Sequence, residues 1–190
     1  NNKYGVPLSL FNIRKKDIFG VFEVGMDKKG EIDNLTKLVM PDLGVITNIS
    51  YAHIKNFKSL LEIAKAKSEI INNINTGGTI VLNKDDEFFD YLKTKAQKKK
   101  LKIISFGVKN MPNIKLDKIV KLKSKLILNI KINNKIKKFF IKKYFEHYVV
   151  NVLPAIAVIS NFIDIKNIKK DIFYNFTPPN ARGDFRKVKI

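Results

Sequence analysis

The first hundred residues alternate between short apolar runs and longer stretches with helical periodicity, and this alternation restricts the possible architectures more than any other feature of the chain. "DIFGVFEVG" (17–25), "LGVITNI" (43–49), "GTIVLN" (78–83) and "LKIISFG" (101–107) read as strands. Between them, "EIDNLTKLVM" (31–40, stopped by Pro41), residues 59–74 and "DEFFDYLKTKAQKK" (86–99) read as helices. Strands that are apolar on both faces and separated by helices imply a mostly parallel sheet flanked by helices, an α/β fold.

The pattern changes after residue 110. "IKLDKIVKL", "KLILNIKI" and "KIKKFFIKK" alternate apolar residues with lysine, and Asn133-Asn134 suits a hairpin turn, so residues 111–143 read as a small, half-exposed antiparallel β insert. Residues 144–190 follow as a helix over about 148–163, a shorter one over about 167–175, and a Pro-containing loop ending in a strand. The longest apolar stretch, "YVVNVLPAIAVISNFI", is interrupted by Asn151 and Pro154 and reads as a buried helix, which excludes membrane insertion through it. The absence of cysteine excludes disulfides and thiolate metal sites and is consistent with a cytoplasmic location.

A net charge of +20 invites a nucleic-acid reading, because dense basic surfaces attract phosphate backbones. Arginine, however, occurs only at positions 14, 182 and 186, and aromatic residues do not interleave with the basic runs as in an RNA-binding motif. The charge therefore predicts salt-sensitive stickiness and no specific nucleic-acid partner. A basic nucleic-acid-binding module remains the alternative from a different functional class.

Within residues 59–74, Ser59 and Glu62 form a capping box, and Leu60, Ala64, Ile71 and Ile74 form one apolar stripe. Lys67 lies in the middle of that stripe, whereas Lys65, Glu62 and Glu69 project to polar sides. A lysine facing inward either has a depressed pKa and a partly free amine, or snorkels its ammonium out along the apolar surface.

In open α/β sheets the ligand site lies beyond the carboxyl ends of the strands. Glu23 closes the first strand, Asn48 the second with His53 soon after, and Asn83 with Asp85 and Asp86 the third. Carboxylate, imidazole and amide oxygens on one rim suit a hard divalent cation carrying phosphate oxygens.

The same residues carry a resemblance. "FEVGMDKKGEI", "TNISYAHIKNFKSLLEIAKAKSEI", "LNKDD", "EHYVVNVLPAIAV" and "ARGD" occur in the order and spacing of motifs of the Mur ligase family. The pattern E-x-G-M-x-x-x-G-E-I most resembles the branch that adds D-alanyl-D-alanine to UDP-N-acetylmuramoyl-tripeptide in peptidoglycan-precursor synthesis. Another Mur-type or folylpolyglutamate-type amide ligase is the nearer alternative.

The resemblance implies an ATP-dependent, Mg2+-requiring ligation in which a substrate carboxylate becomes an acyl phosphate that an incoming amine then attacks. It places Glu23 and His53 as magnesium ligands and Lys67 as the lysine carbamylated in the family. It also places Asn151 against adenine and Arg182 against the nucleotide phosphates, with Asn48 and Asp86 ordering the rim of the nucleotide site. The whole enzyme is expected to be a cytoplasmic monomer.

There are departures from the family pattern. No G-x-x-x-x-G-K-[ST] loop occurs in the chain, Tyr148 stands where many relatives have Asn, and Asp27 replaces the common Asn of G-M-N. Nothing resembles the family's N-terminal UDP-binding domain or its C-terminal domain, so residues 1–190 are expected to be part of an ATP-binding central domain. Its α/β part spans residues 1–110.

Overall fold

A computed structural model describes residues 3–51 and 56–177. Six strands form one sheet in the order β1-β2-β3-β4-β5-β6: Leu43–Ile46, Thr79–Asn83, Lys102–Gly107, Ile114–Lys121, Lys125–Ile132 and Lys135–Lys142. β1, β2, β3 and β4 pair in parallel, and β4, β5 and β6 in antiparallel fashion. The lysine-rich insert is thus continuous with the main sheet. β4 joins β3 through only Phe106–Ile114 and Gly107–Lys115 before the antiparallel part runs on by itself.

Helices cover both faces, as the two-sided apolar strands demand. In β2, Ile80 and Leu82 enter one core and Val81 the other, following the two-residue alternation of a strand. The first core is closed by α2 (Glu31–Val39), α3 (Leu60–Lys67), α4 (Ile70–Asn73) and α5 (Phe89–Lys98). The second is closed by α6 (Val149–Phe162), whose Val152, Leu153, Ile156 and Ala157 pack on β2, β3 and the inner face of the insert. A short helix, α1 (Gly5–Phe11), precedes them, and 3-10 turns at Lys143–Tyr148 and Ile165–Asn167 bracket α6. Among the described residues no helix is long and apolar enough to cross a membrane.

Local chemistry explains several boundaries. Asn133 and Asn134 both take positive φ, 44° and 72°, as the β5–β6 two-residue turn requires. α2 ends where Met40 turns left-handed (φ 45°) one residue before Pro41, which cannot continue a helix. Ser59 accepts the Glu62 amide at 3.3 Å, and the Glu62 carboxylate accepts the Lys58 amide at 2.8 Å, one residue earlier than the usual capping box.

Three sequence expectations are corrected. Residues 17–25 carry strand composition but join no ladder; Ile18 and Val21 are 86% and 95% exposed, and only Phe22, Val24 and Gly25 are partly covered. Apolar alternation confers strand potential, but a strand exists only with a hydrogen-bonding neighbour. The helix expected over 59–74 breaks after Lys67, where Ser68 turns its hydroxyl back to the Lys65 carbonyl at 2.6 Å. The helix expected over 167–175 is a series of turns. The strand expected at the C-terminus lies outside the described residues.

Candidate functional site

Beyond the carboxyl ends of β1, β2 and β3, the exit loops are stitched together by two adjacent aspartates. Asp86, just past β2, accepts the Ile49 amide at 2.6 Å with Oδ2 and the Phe88 amide at 2.9 Å with Oδ1, clasping the loop after β1 to its own turn. Asp85 faces the other way and accepts the amides of Val108, Lys109 and Asn110 in the loop after β3. A Cβ on Gly107 would lie 2.8 Å from Asp85 Oδ2, so this close approach requires glycine there. Burial raises the Asp85 pKa, but the Asn110, Val108 and Lys109 amides outweigh it and hold the carboxyl below its ordinary value.

Lys67 is the last residue of α3 and is half-buried. Its Nζ donates to the backbone carbonyl of Asn48, just past β1, at 2.7 Å. Burial lowers its pKa below the usual lysine range, and the nearby Asp86 charge raises it in part. The half-buried side chain thus reaches the rim, where its ammonium meets the exposed exit of β1. Lys67, Asn48 and Asp86, singled out from sequence, thus form one group where β1, β2 and α3 converge. Beside them an open groove of about 750 Å³ runs between the β2 exit, α5 and the loop after β3, with Asp86, Asp90 and Lys93 in its lining.

The other candidates are placed differently. Glu23 is exposed on the unpaired segment 17–25. Asn151 is exposed in the first turn of α6, on the layer covering the opposite sheet face. The Tyr148 ring packs edge-on against Phe145 (6.0 Å) and Phe176 (5.5 Å), a space-filling role that asparagine could not take. His53 and Arg182 lie outside the described residues.

One residue was misread from sequence. Glu69, expected on a polar side, is only 8% exposed and accepts the Gly30 amide at 2.7 Å and the Asp33 amide at 3.1 Å. Those are the N-cap and third-residue amides of α2, whose own N-cap, Gly30, has no side chain to offer. Glu31 meanwhile accepts the Asp27 and Lys28 amides. Two carboxylates therefore fix the turn after Glu23, and one of them sits two residues beyond Lys67. The available signal was the glycine at the start of an otherwise well-formed helix, which calls for a cap from elsewhere.

Magnesium typically takes one or two protein carboxylates together with waters and substrate phosphates. Among the described residues there is no group of three or more His, Asp or Glu side chains able to hold a metal. Glu23 is exposed, whereas both carboxylate oxygens of Asp85 and of Asp86 already accept backbone amides.

An open α/β domain with its polar residues gathered beyond the strand ends is the architecture of a rim-binding catalytic domain. The chain belongs to the Mur ligase family: residues 1–159 match the Mur ligase middle domain. It is 30% identical over 169 residues to the UDP-N-acetylmuramoyl-tripeptide--D-alanyl-D-alanine ligase of Rickettsia prowazekii (strain Madrid E), covering 87% of this chain and 38% of that protein. It is 35% identical over 113 residues to the enzyme of the same name from Buchnera aphidicola subsp. Acyrthosiphon pisum (strain APS), covering 60% of this chain and 25% of that one. Among solved structures, MurF from Acinetobacter baumannii superposes with a TM-score of 0.77 at 29% identity, over 87% of this chain and 36% of that one. MurF ligase from Thermotoga maritima in complex with ADP superposes at 0.74 with 23% identity, covering 91% and 39%, a likeness of fold. The chain thus spans roughly a quarter to two-fifths of the length of these relatives.

Proposed function

We propose that this chain is the ATP-binding central part of a longer ligase that joins D-alanyl-D-alanine to UDP-N-acetylmuramoyl-tripeptide. The relatives' names and the family match support the reaction, and the convergence of Lys67, Asn48 and Asp86 at the strand ends is the observation in this molecule that carries it. In this reading residues 1–110 form the α/β part, 111–143 the β insert, and 144–190 the helices and terminal strand. The substrate carboxylate is phosphorylated by ATP to an acyl phosphate, and the dipeptide amine displaces phosphate. The enzyme works as a cytoplasmic monomer.

Phosphoryl transfer asks a protein mainly for positioning and charge neutralisation. Glu23 and His53 would hold magnesium, which supplies positive charge to the phosphates. Asn151 would contact adenine, and Arg182 would pair phosphate oxygens through its planar guanidinium. Asp86 and Asn48 keep the rim in register. Lys67, whose pKa is lowered by burial, would add carbon dioxide at Nζ with release of a proton to solvent, and the resulting carbamate would place an anion beside the rim. The chain has no G-x-x-x-x-G-K-[ST] loop, so these residues require a phosphate cradle supplied by another segment of the longer enzyme.

The deciding experiment uses the full-length gene product and measures phosphate release dependent on ATP, UDP-N-acetylmuramoyl-tripeptide and D-alanyl-D-alanine together. Turnover that requires all three supports the proposal. Turnover with a different amino acid or dipeptide, and none with D-alanyl-D-alanine, overturns the substrate assignment.

A further inference from the structure

The β4–β6 insert holds eleven lysines and one acidic residue, Asp117, within residues 111–143, a net +10 out of the chain's +20. Compositional drift toward lysine would spread charge in proportion to length, and about a sixth of the residues here carry half of it. The register shows where these side chains go. Leu126, Leu128, Ile130 and Ile132 of β5 are buried against α6, which leaves Lys125, Ile127, Asn129 and Lys131 on the outer face. Opposite them stand Lys142, Phe140, Lys138 and Ile136 of β6, and Val120, Lys118 and Lys115 of β4. Six lysines, at 115, 118, 125, 131, 138 and 142, therefore share one sheet face.

That face also carries a half-exposed apolar row running straight across the strands, Val120–Ile127–Phe140. Lys125 and Lys170 lie over the Phe140 ring at 4.3 and 5.5 Å from its centroid, so the ring is framed by cations. Exposed Leu122 at one end of the hairpins and Ile136 on β6 extend the apolar component.

We infer that the outer face of the β4–β6 insert is a docking surface for an anionic lipid bilayer. A group of four to eight lysines near a membrane is attracted to anionic headgroups, and a sheet face offers all six to one plane at once. Apolar side chains set among the cations gain by entering the headgroup–acyl boundary, whereas they gain nothing from a phosphate backbone. Nucleic-acid surfaces favour arginine, and the insert has none. The inference concerns surface association, requires no spanning helix, and stands apart from the ligase chemistry.

The test uses the full-length gene product and vesicles of phosphatidylcholine with or without phosphatidylglycerol. These 190 residues contain no tryptophan, so the reporter signal is the emission of Phe140→Trp less that of the unsubstituted protein. Binding only to the phosphatidylglycerol vesicles, with a blue shift of the reporter, is the expected result. Combined Lys118→Gln, Lys131→Gln and Lys138→Gln should weaken binding roughly a hundredfold. The charge-matched set Lys98→Gln, Lys99→Gln and Lys100→Gln, at the end of α5, should change it far less. Equal binding to both vesicle types, equal losses from the two lysine sets, or tighter binding to poly(U) RNA with no reporter shift on vesicles would each overturn the inference.

Discussion

Replacing Glu69 should destabilise the protein by more than an ordinary helix-surface substitution, because its carboxylate serves a helix other than its own. In Glu69→Ala the Gly30 and Asp33 amides lose acceptors now held at 2.7 and 3.1 Å. Loss of an N-cap costs about 1 kcal/mol. Removing a negative charge from the α2 N-terminus adds about 0.3–1 kcal/mol. Part-buried amides left unpaired add about 1–3 kcal/mol. These overlap, since capping already includes part of the unpaired-amide cost, and a total of about 2–4 kcal/mol is the expected loss. Gln, with one acceptor oxygen, should recover about half of that difference. Urea unfolding monitored by circular dichroism measures the loss, and hydrogen exchange at Gly30 and Asp33 locates it. A loss below about 0.5 kcal/mol, the range of unremarkable surface changes, would refute the cap argument. So would unchanged protection at both amides.

The remaining predictions concern the rim and the sheet. Lys67→Ala and Lys67→Arg should both abolish turnover of the full-length ligase, and a small added carboxylic acid should partly rescue only the alanine variant; full activity of Lys67→Arg would exclude the carbamate. Asp86→Asn should speed hydrogen exchange at Ile49 or Phe88, since a carboxamide keeps one acceptor oxygen where both carboxylate oxygens now accept. Asp85→Asn should cost about 1 kcal/mol near neutral pH, a value discounted for partial solvent exposure. Because the folded-state pKa of Asp85 is depressed, its stabilisation is present above the unfolded carboxylate range and is lost as pH falls through the folded value. The stability gap between wild type and Asp85→Asn should therefore close in acid. Gly78→Ala would place a Cβ 2.6 Å from the Asp42 carbonyl oxygen and 2.8 Å from that of Asn75, and should cost about 3 kcal/mol or more by the same unfolding assay.

Most of the sheet was legible because periodicity is a local property. β2 and β3 are apolar on both faces, and β5 alternates strictly; these patterns need no knowledge of neighbours. The failures share a cause, since each depended on what lies across space. Segment 17–25 has a strand's composition, but strand formation depends on a partner's backbone. The break after Lys67 depends on one hydroxyl, that of Ser68, bonding backward. Glu69 looked solvent-facing because a helical wheel cannot show that another helix ends against it. At the rim, Asn48 and Asp86 both lie just past strand ends, as their sequence positions imply. Their actual hydrogen-bond partners, the Lys67 ammonium for the Asn48 carbonyl and backbone amides for Asp86, emerge only from the folded chain.

Those partners also bear on why a lysine occupies position 67. A stripe-facing lysine that snorkelled would keep its ammonium hydrated, with little reason for a lowered pKa. Here the half-buried side chain donates a hydrogen bond from Nζ to the Asn48 carbonyl, and burial disfavours its charge. Asp86 opposes that shift from nearby, yet Asp86 is itself engaged by the Ile49 and Phe88 amides, which satisfy much of its charge without Lys67. In the proposed carbamate the Lys67 hydrogen bond to Asn48 would be given up, while the Asp86 bond to the Ile49 amide would still clasp the strand-exit loop. The two aspartates past β2 hold the rim together through backbone amides, with no hydrogen bond from Lys67 to either carboxylate among those observed.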